Sequence, residues 1–276
     1  MIACYNEWYV LNGNIYSSEN FELPSKSDLV LYEVIRVIDG IPLFLEDHIE
    51  RLYNSAKLKN VEKKIDENLI ISDINSLIKI NNDVNGNIRY SIFFYDKELL
   101  RYAHYTKHEY PDKKMYETGA KLKSLKIERP EPNIKTIHSE INEKTEKLLA
   151  DKYFYEIALV NFNGMLTEGS RSNLFFVKDN KLYTSQDNQV LPGITRKLVI
   201  NIAKNSKIEL IKDNVYFSEI HLFESAFLTG TSPKILPVQS IDKYKFNPEN
   251  KITAEISLLY DNLIKNYIEN HKIEES

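Results

Sequence analysis

Thr167-Glu-Gly-Ser-Arg-Ser-Asn173 stands between two runs of different character, Ile157-Ala-Leu-Val-Asn-Phe-Asn-Gly164 before it and Leu174-Phe-Phe-Val177 after it. The first run ends in a turn at Asn-Gly and the second is continuously apolar, so the polar segment is predicted to join two strands. Downstream, Leu191-Pro-Gly-Ile-Thr-Arg196 passes from a loop into a helix predicted over Thr195 to Ala203. Leu228-Thr-Gly-Thr-Ser-Pro233 closes a buried strand beginning at Ser225. Upstream lies Asn133-Ile-Lys-Thr136, ahead of a helical pattern from Ile141 to Lys152. Strands and helices mix throughout this half.

The N-terminal half carries its own signals. Trp8-Tyr-Val-Leu-Asn-Gly-Asn-Ile-Tyr16 places Asn-Gly between short apolar runs, and Asp39-Gly40 turns a β-branched run, Leu29 to Val37, into Ile41-Pro-Leu-Phe-Leu45. Both read as hairpins. From Glu46 to Leu58 the spacing of Ile49, Leu52, Tyr53 and Ala56 predicts an amphipathic helix carrying His48 and Arg51. Asn87 to Tyr95 reads as a further strand, and a charged, Pro-containing stretch follows it. A boundary near residues 116–128 divides the chain into 1–118 and 119–276, two α/β domains of the α+β kind, with the motif lysine in the second. Ile252, Ile256, Leu259, Leu263 and Tyr267 trace one face of a closing helix.

Composition narrows the function classes. Of 276 residues, 42% are apolar, enough for an enzyme's core, and 36 basic against 40 acidic residues, scattered along the chain, mark no nucleic-acid footprint. A single cysteine, Cys4, can neither close an intrachain disulfide nor build a thiolate metal site, which fits a reducing compartment. No apolar run approaches the roughly 20 residues of a membrane span, and the first residues lack the pattern of a signal peptide. The expectation is a cytoplasmic protein with no membrane and no nucleic-acid partner.

The four segments, with Arg51, make a set whose order and spacing resemble the class IV aminotransferases, the pyridoxal-phosphate enzymes of fold type IV. That family includes branched-chain and D-amino-acid aminotransferases and aminodeoxychorismate lyase. The resemblance spans roughly Trp8 to Val238. It implies a two-domain fold, a homodimer, and exchange of an amino group between an amino acid and a 2-oxo acid. Lys135 matches the Schiff-base lysine, an amine that bonds to the cofactor and later shuttles the Cα proton. Glu168 matches the carboxylate facing the cofactor's pyridine nitrogen, where its charge keeps the ring protonated. Gly193, Ile194 and Thr195 stand where a loop becomes a helix, so their N–H groups and the helix dipole suit a phosphate. Thr231 and Arg51 match further phosphate contacts, the arginine through a bidentate guanidinium. Each residue alone also has a plainer reading: an exposed lysine, a turn glutamate, a helix cap, a solvated helix charge. His48 reads as structural support for Arg51.

The resemblance thins at the substrate. The family's Gly-Asp-Gly loop is replaced by Ser27-Asp-Leu-Val-Leu-Tyr-Glu33. On the strand that follows, Tyr32, Val34 and Arg36 share one face by the period of two, which makes Tyr32 and Arg36 substrate candidates. This strand looks like the D-amino-acid version, yet no Arg-x-His matches between Phe93 and Tyr110, and Arg89 instead resembles the branched-chain group. Ser232 is a further substrate candidate. Arg171 stands where relatives carry a small residue; turned inward it would pair with the substrate carboxylate, turned outward it is a solvated charge. Two rivals to transamination remain, a lyase of the aminodeoxychorismate type and a non-catalytic pyridoxal-phosphate binder.

Overall fold

The computed structural model describes residues 3–96, 98–107, 109–150 and 152–272. The chain divides into two compact units. The first comprises Met1–Glu109, Ile134–Ile137 and Ile264–Ser276, the second Tyr110–Asn133 and His138–Leu263. Sequence reading places a boundary at 118/119; by contacts the lysine-bearing segment Ile134–Ile137 counts with the first unit.

That unit is built on a six-stranded sheet of order β2-β1-β6-β5-β3-β4. Its strands are β1 (Trp8–Leu11), β2 (Asn14–Ser17), β3 (Leu29–Ile38), β4 (Ile41–Pro42), β5 (Gly86–Phe94) and β6 (Leu99–Tyr105). Both expected hairpins form, with Asn12 and Gly13 at φ 49° and 84° and Asp39 and Gly40 at 52° and 76°, the left-handed pairs that two-residue hairpin turns need. The second hairpin is shorter than its apolar run suggests, because Phe44 turns left-handed and opens helix α1 (Leu45–Leu58). Helix α2 (Glu67–Asn81) follows, capped by Asp66. Along β3, buried Leu31, Glu33, Ile35 and Val37 alternate with half-buried Tyr32, Val34 and Arg36, the alternation expected of a strand with one face on the core. The core joins Leu31, Ile35 and Val37 to Ile49 and Leu52 of α1, Ile70, Ile74 and Leu77 of α2, and Ile134.

Ile134–Ile137 is fixed to this sheet by the backbone. Thr136 bridges Leu31 in antiparallel fashion, the N–H of Tyr32 donates to the carbonyl of Lys135 at 3.1 Å, and the Thr136 hydroxyl donates to the Val30 carbonyl at 2.6 Å.

The second unit carries a nine-stranded sheet, β12-β11-β10-β13-β14-β7-β8-β9, with β15 paired to β14. The strands are β7 (Ala120–Lys126), β8 (Glu156–Val160), β9 (Leu166–Gly169), β10 (Asn173–Lys178), β11 (Lys181–Thr184), β12 (Leu210–Lys212), β13 (Ser225–Gly230), β14 (Lys234–Ile241) and β15 (Tyr244–Lys245). Helices α3 (Lys113–Thr118), α4 (Ser139–Leu149) and α5 (Ile194–Asn205) belong to it, and α6 (Lys251–His271) closes the chain. On α6 the buried line is Thr253, Ile256, Tyr260, Ile264 and Ile268; of the expected stripe Ile252, Ile256, Leu259, Leu263 and Tyr267, Ile256 is buried and the other four are half-buried. The apolar surface of this helix is wide, and the sequence pattern picked out its half-buried edge.

Candidate active site

Lys135, Tyr32 and Arg89 come together in the first unit. The Lys135 Nζ lies 5.0 Å from the centroid of the Tyr32 ring, and the Arg89 guanidinium carbon lies 3.7 Å from the same centroid. Arg89 donates from Nε to Ser91 Oγ at 3.2 Å, and no carboxylate pairs with it among the described residues. Burial draws the Arg89 pKa down, against the opposing pull of Tyr32, so an anion from outside would be well received there. Tyr32 and Arg89 occupy one face of the sheet because Tyr32 pairs with Ser91 and Val34 with Arg89. Arg36 shares that face, half-buried.

Opposite Arg89 in the register is His104. It is fully buried, and neither ring nitrogen has a hydrogen-bond partner among the described residues. Burial, reinforced by Arg89, pushes its pKa down to about 3, so the ring is neutral. Phe21 covers it at 4.6 Å between ring centroids.

Arg51 is placed differently from its expected bidentate phosphate grip. Its Nε donates to Glu33 Oε1 at 2.9 Å and its Nη2 to Glu33 Oε2, so the fork of the guanidinium is taken by a carboxylate of β3. His48 Nδ1 stands 2.6 Å from Glu33 Oε2, so His48 supports Arg51 through Glu33. All three side chains are buried. Burial alone would raise the Glu33 pKa, but the Arg51 charge and the hydrogen bonds from Arg51 and His48 overcome it and hold it at about 2. Burial also lowers the His48 pKa in spite of Glu33.

Glu168 is the penultimate residue of β9 in the second unit and is 1% exposed. Its Oε1 accepts from Arg129 Nε at 2.7 Å, and its Oε2 accepts from Asn173 Nδ2 at 3.2 Å and the Leu191 N–H at 3.0 Å. Asn173 also donates to the Leu191 carbonyl at 3.0 Å, which links the Glu-Gly-Ser-Arg-Ser-Asn turn to the loop that opens α5. That turn is in turn supported by the buried Glu156, whose carboxylate accepts from Ser170 Oγ at 2.6 Å and Ser172 Oγ at 3.0 Å. Gly193 is the N-cap of α5, and a Cβ there would stand 2.1 Å from Asn173 Oδ1. Only glycine permits this approach, which lays the first turn of α5 beside the asparagine that holds Glu168. The N–H groups of that first turn have no partner within the helix. Thr195 is buried, its hydroxyl 3.4 Å from that of Tyr260. Thr231 and Ser232 lie half-buried in the β13–β14 turn, next to the same loops, since Asn173 pairs with Thr229.

Arg171 is exposed and its Nη2 reaches the Tyr155 carbonyl at 3.4 Å. This exposure matches the outward of its two readings, and its own N–H is tied to Glu156 Oε2 at 3.2 Å. Sequence reading missed Arg129, Glu33 and His104. Glu33 could have been found: the period of two puts a charged residue on the core face of β3, where a charge is tolerated only when paired.

Comparison with known proteins supplies the family. The sequence model for amino-transferase class IV matches residues 30–241. A probable branched-chain-amino-acid aminotransferase of Thermotoga maritima is 29% identical, covering 92% of this chain and 93% of its own length. An aminodeoxychorismate lyase of Bacillus subtilis is 26% identical and covers 86% of each chain. The solved branched-chain amino acid aminotransferase of Escherichia coli superposes with a TM-score of 0.83 over 94% of this chain and 95% of its own, at 22% identity, a likeness of fold. With its ordered motifs, its antiparallel six-stranded sheet and its mixed nine-stranded sheet, the chain belongs to the class IV aminotransferases, the enzymes of fold type IV.

Proposed function

We propose that this chain moves an amino group between an amino acid and a 2-oxo acid with pyridoxal 5′-phosphate, through Lys135 and Glu168. The observation that carries the reading is the buried Glu168 carboxylate with three donors upon it, which is the environment of a fixed negative charge. The residues present fit the cofactor. The close packing of Asn173 on Gly193 ties the first turn of α5 to the Glu168 carboxylate, and a helix N-terminus of this kind suits a phosphate.

Bound pyridoxal phosphate supplies a protonated ring that accepts the electron pair left at Cα when its proton departs. Lys135 makes the covalent attachment and carries that proton. Glu168 keeps a proton on the ring nitrogen. The N–H groups of Ile194 and Thr195 and the Thr231 hydroxyl hold the phosphate, with Arg51 as a positioned countercharge, while the Gly193 N–H is given to the Leu191 carbonyl at 2.8 Å. Tyr32, Arg36, Arg89 and Ser232 receive the substrate, Arg89 taking a carboxylate. The reading extends to a homodimer in the cytoplasm, and no helix among the described residues is long and apolar enough to cross a membrane. Light scattering checks the assembly.

The test is spectroscopic. The absorption band of the purified enzyme should fade when an amino donor is added and return with a 2-oxo acid. The similarity to the lyase supports a second reading, in which aminodeoxychorismate releases pyruvate and no 2-oxo acid is needed. Pyruvate release with no spectral half-reaction would replace the first reading with the second.

A further inference from the structure

We infer that Arg129 is a positioning residue that keeps Glu168 anionic and thereby keeps the proton on the cofactor's ring nitrogen, an inference that rests on Glu168 facing that nitrogen. Arg129 comes from the segment that follows β7, and its side chain is 15% exposed against 2% for Glu168. One guanidinium does two things. Its Nε donates to Glu168 Oε1 at 2.7 Å, and its Nη2 donates to the Ser170 carbonyl at 2.8 Å. The carboxylate and the backbone two residues further on are therefore braced together, and the carboxylate cannot turn without breaking a charged hydrogen bond.

The electrostatic argument concerns which group keeps the proton. A carboxylate at 1% exposure is driven towards its neutral acid by loss of hydration. A neutral acid would leave the ring nitrogen without a countercharge, and the proton would reside on Glu168. Of the described donors on this carboxylate, Asn173 and the Leu191 N–H are neutral, and Arg129 carries charge. Two other charged side chains of the neighbouring segments bond to different partners. Glu156 serves Ser170 and Ser172, and Arg196 pairs with Asp187 at 2.7 Å. Arg129, at 2.7 Å from Oε1, is the charged donor that favours the anionic form of Glu168.

The test reads the ring nitrogen directly. Enzyme reconstituted with pyridoxal phosphate labelled with ¹⁵N in the ring is compared with Arg129→Gln, Arg129→Met, Arg129→Lys and Glu168→Gln. The wild type and Arg129→Lys should show the resonance of a protonated ring nitrogen at neutral pH. Both neutral variants should shift it towards the unprotonated position, as should Glu168→Gln, while the cofactor dissociation constant stays unchanged because the phosphate contacts are untouched. A protonated signal in a folded Arg129→Gln or Arg129→Met enzyme, with Glu168→Gln shifted, overturns the role of Arg129 and leaves that of Glu168 standing. A signal unmoved even by Glu168→Gln overturns the facing of Glu168 to the ring, and the inference with it.

Discussion

Tyr32 and Lys135 are joined twice, by a 3.1 Å hydrogen bond from the tyrosine N–H to the lysine carbonyl and by a 5.0 Å approach of the lysine Nζ to the tyrosine ring centroid. The backbone bond fixes where the lysine leaves the sheet, and the ring limits where its amine can go. Lys135→Ala should abolish turnover. Borohydride reduction of the wild type followed by peptide mapping should place the cofactor on Lys135, and a label on any other lysine would reassign the reaction.

Glu168→Gln removes a charge and leaves the first turn of α5 intact. The half-reaction rate should fall by about 100-fold or more, with cofactor affinity retained. Single-turnover kinetics with equilibrium binding of the cofactor separate these quantities, and an undiminished rate would remove Glu168 from the chemistry.

Arg89 and Arg171 make opposite predictions. Loss of a charged hydrogen bond to a substrate carboxylate should weaken donor binding by about tenfold or more in Arg89→Met. Arg171→Ala should leave every donor's apparent dissociation constant as it was, because the side chain is exposed and engaged with the Tyr155 carbonyl. A spectral titration with several donors checks both.

The Glu33–His48–Arg51 cluster should show itself in stability. Glu33→Ala strands a buried guanidinium, which costs about 3–5 kcal/mol. The Glu33 pKa is depressed to about 2, so its stabilising effect is complete above the unfolded carboxyl's range near 4.3 and is lost as pH falls from there towards 2. Denaturant melts of wild type and Glu33→Gln should converge across that window, and parallel pH profiles would contradict the assignment.

His104 acts over a higher window. A folded pKa of about 3 lies below the unfolded value near 6.5, so the unfolded chain takes up the proton first and stability declines as pH falls from about 6.5 towards 3. His104→Phe should flatten that decline. It removes two buried nitrogens without partners and replaces one flat ring with another, so stability at neutral pH should change by less than about 1.5 kcal/mol. An unchanged slope between pH 6 and pH 4 would mean that another group titrates there.

What could be read in advance follows from how local each signal is. Asn12-Gly13 and Asp39-Gly40 specify their turns with two adjacent residues, and both hairpins form. The period of two along β3 separates Tyr32 and Arg36 from the core as the strand shows. Arg129 left no such trace, because it stands in an aperiodic, charged segment and meets a carboxylate 39 residues further along. Arg171 was undecidable from spacing, since the direction of a side chain in a turn depends on which N–H groups the neighbouring Glu156 captures. Glu33 was legible and passed over: the residue beside Tyr32 carries a charge on the face that packs inward.

The first unit is discontinuous along the chain, and this bears on the order in which the protein can be made. Its core takes in Ile134. At the start of α1, where the N-cap residue Phe44 offers no capping side chain, the Leu45 N–H donates to the Tyr267 hydroxyl, which itself donates to Glu46, while the Tyr267 ring lies 4.7 Å from that of Phe44. A nascent chain therefore emerges with its first sheet and two helices long before the residues that complete them. The N-terminal part cannot reach its final form until the segment around Tyr267 has left the ribosome, and a gene fragment ending at residue 109 would encode an unfinished body.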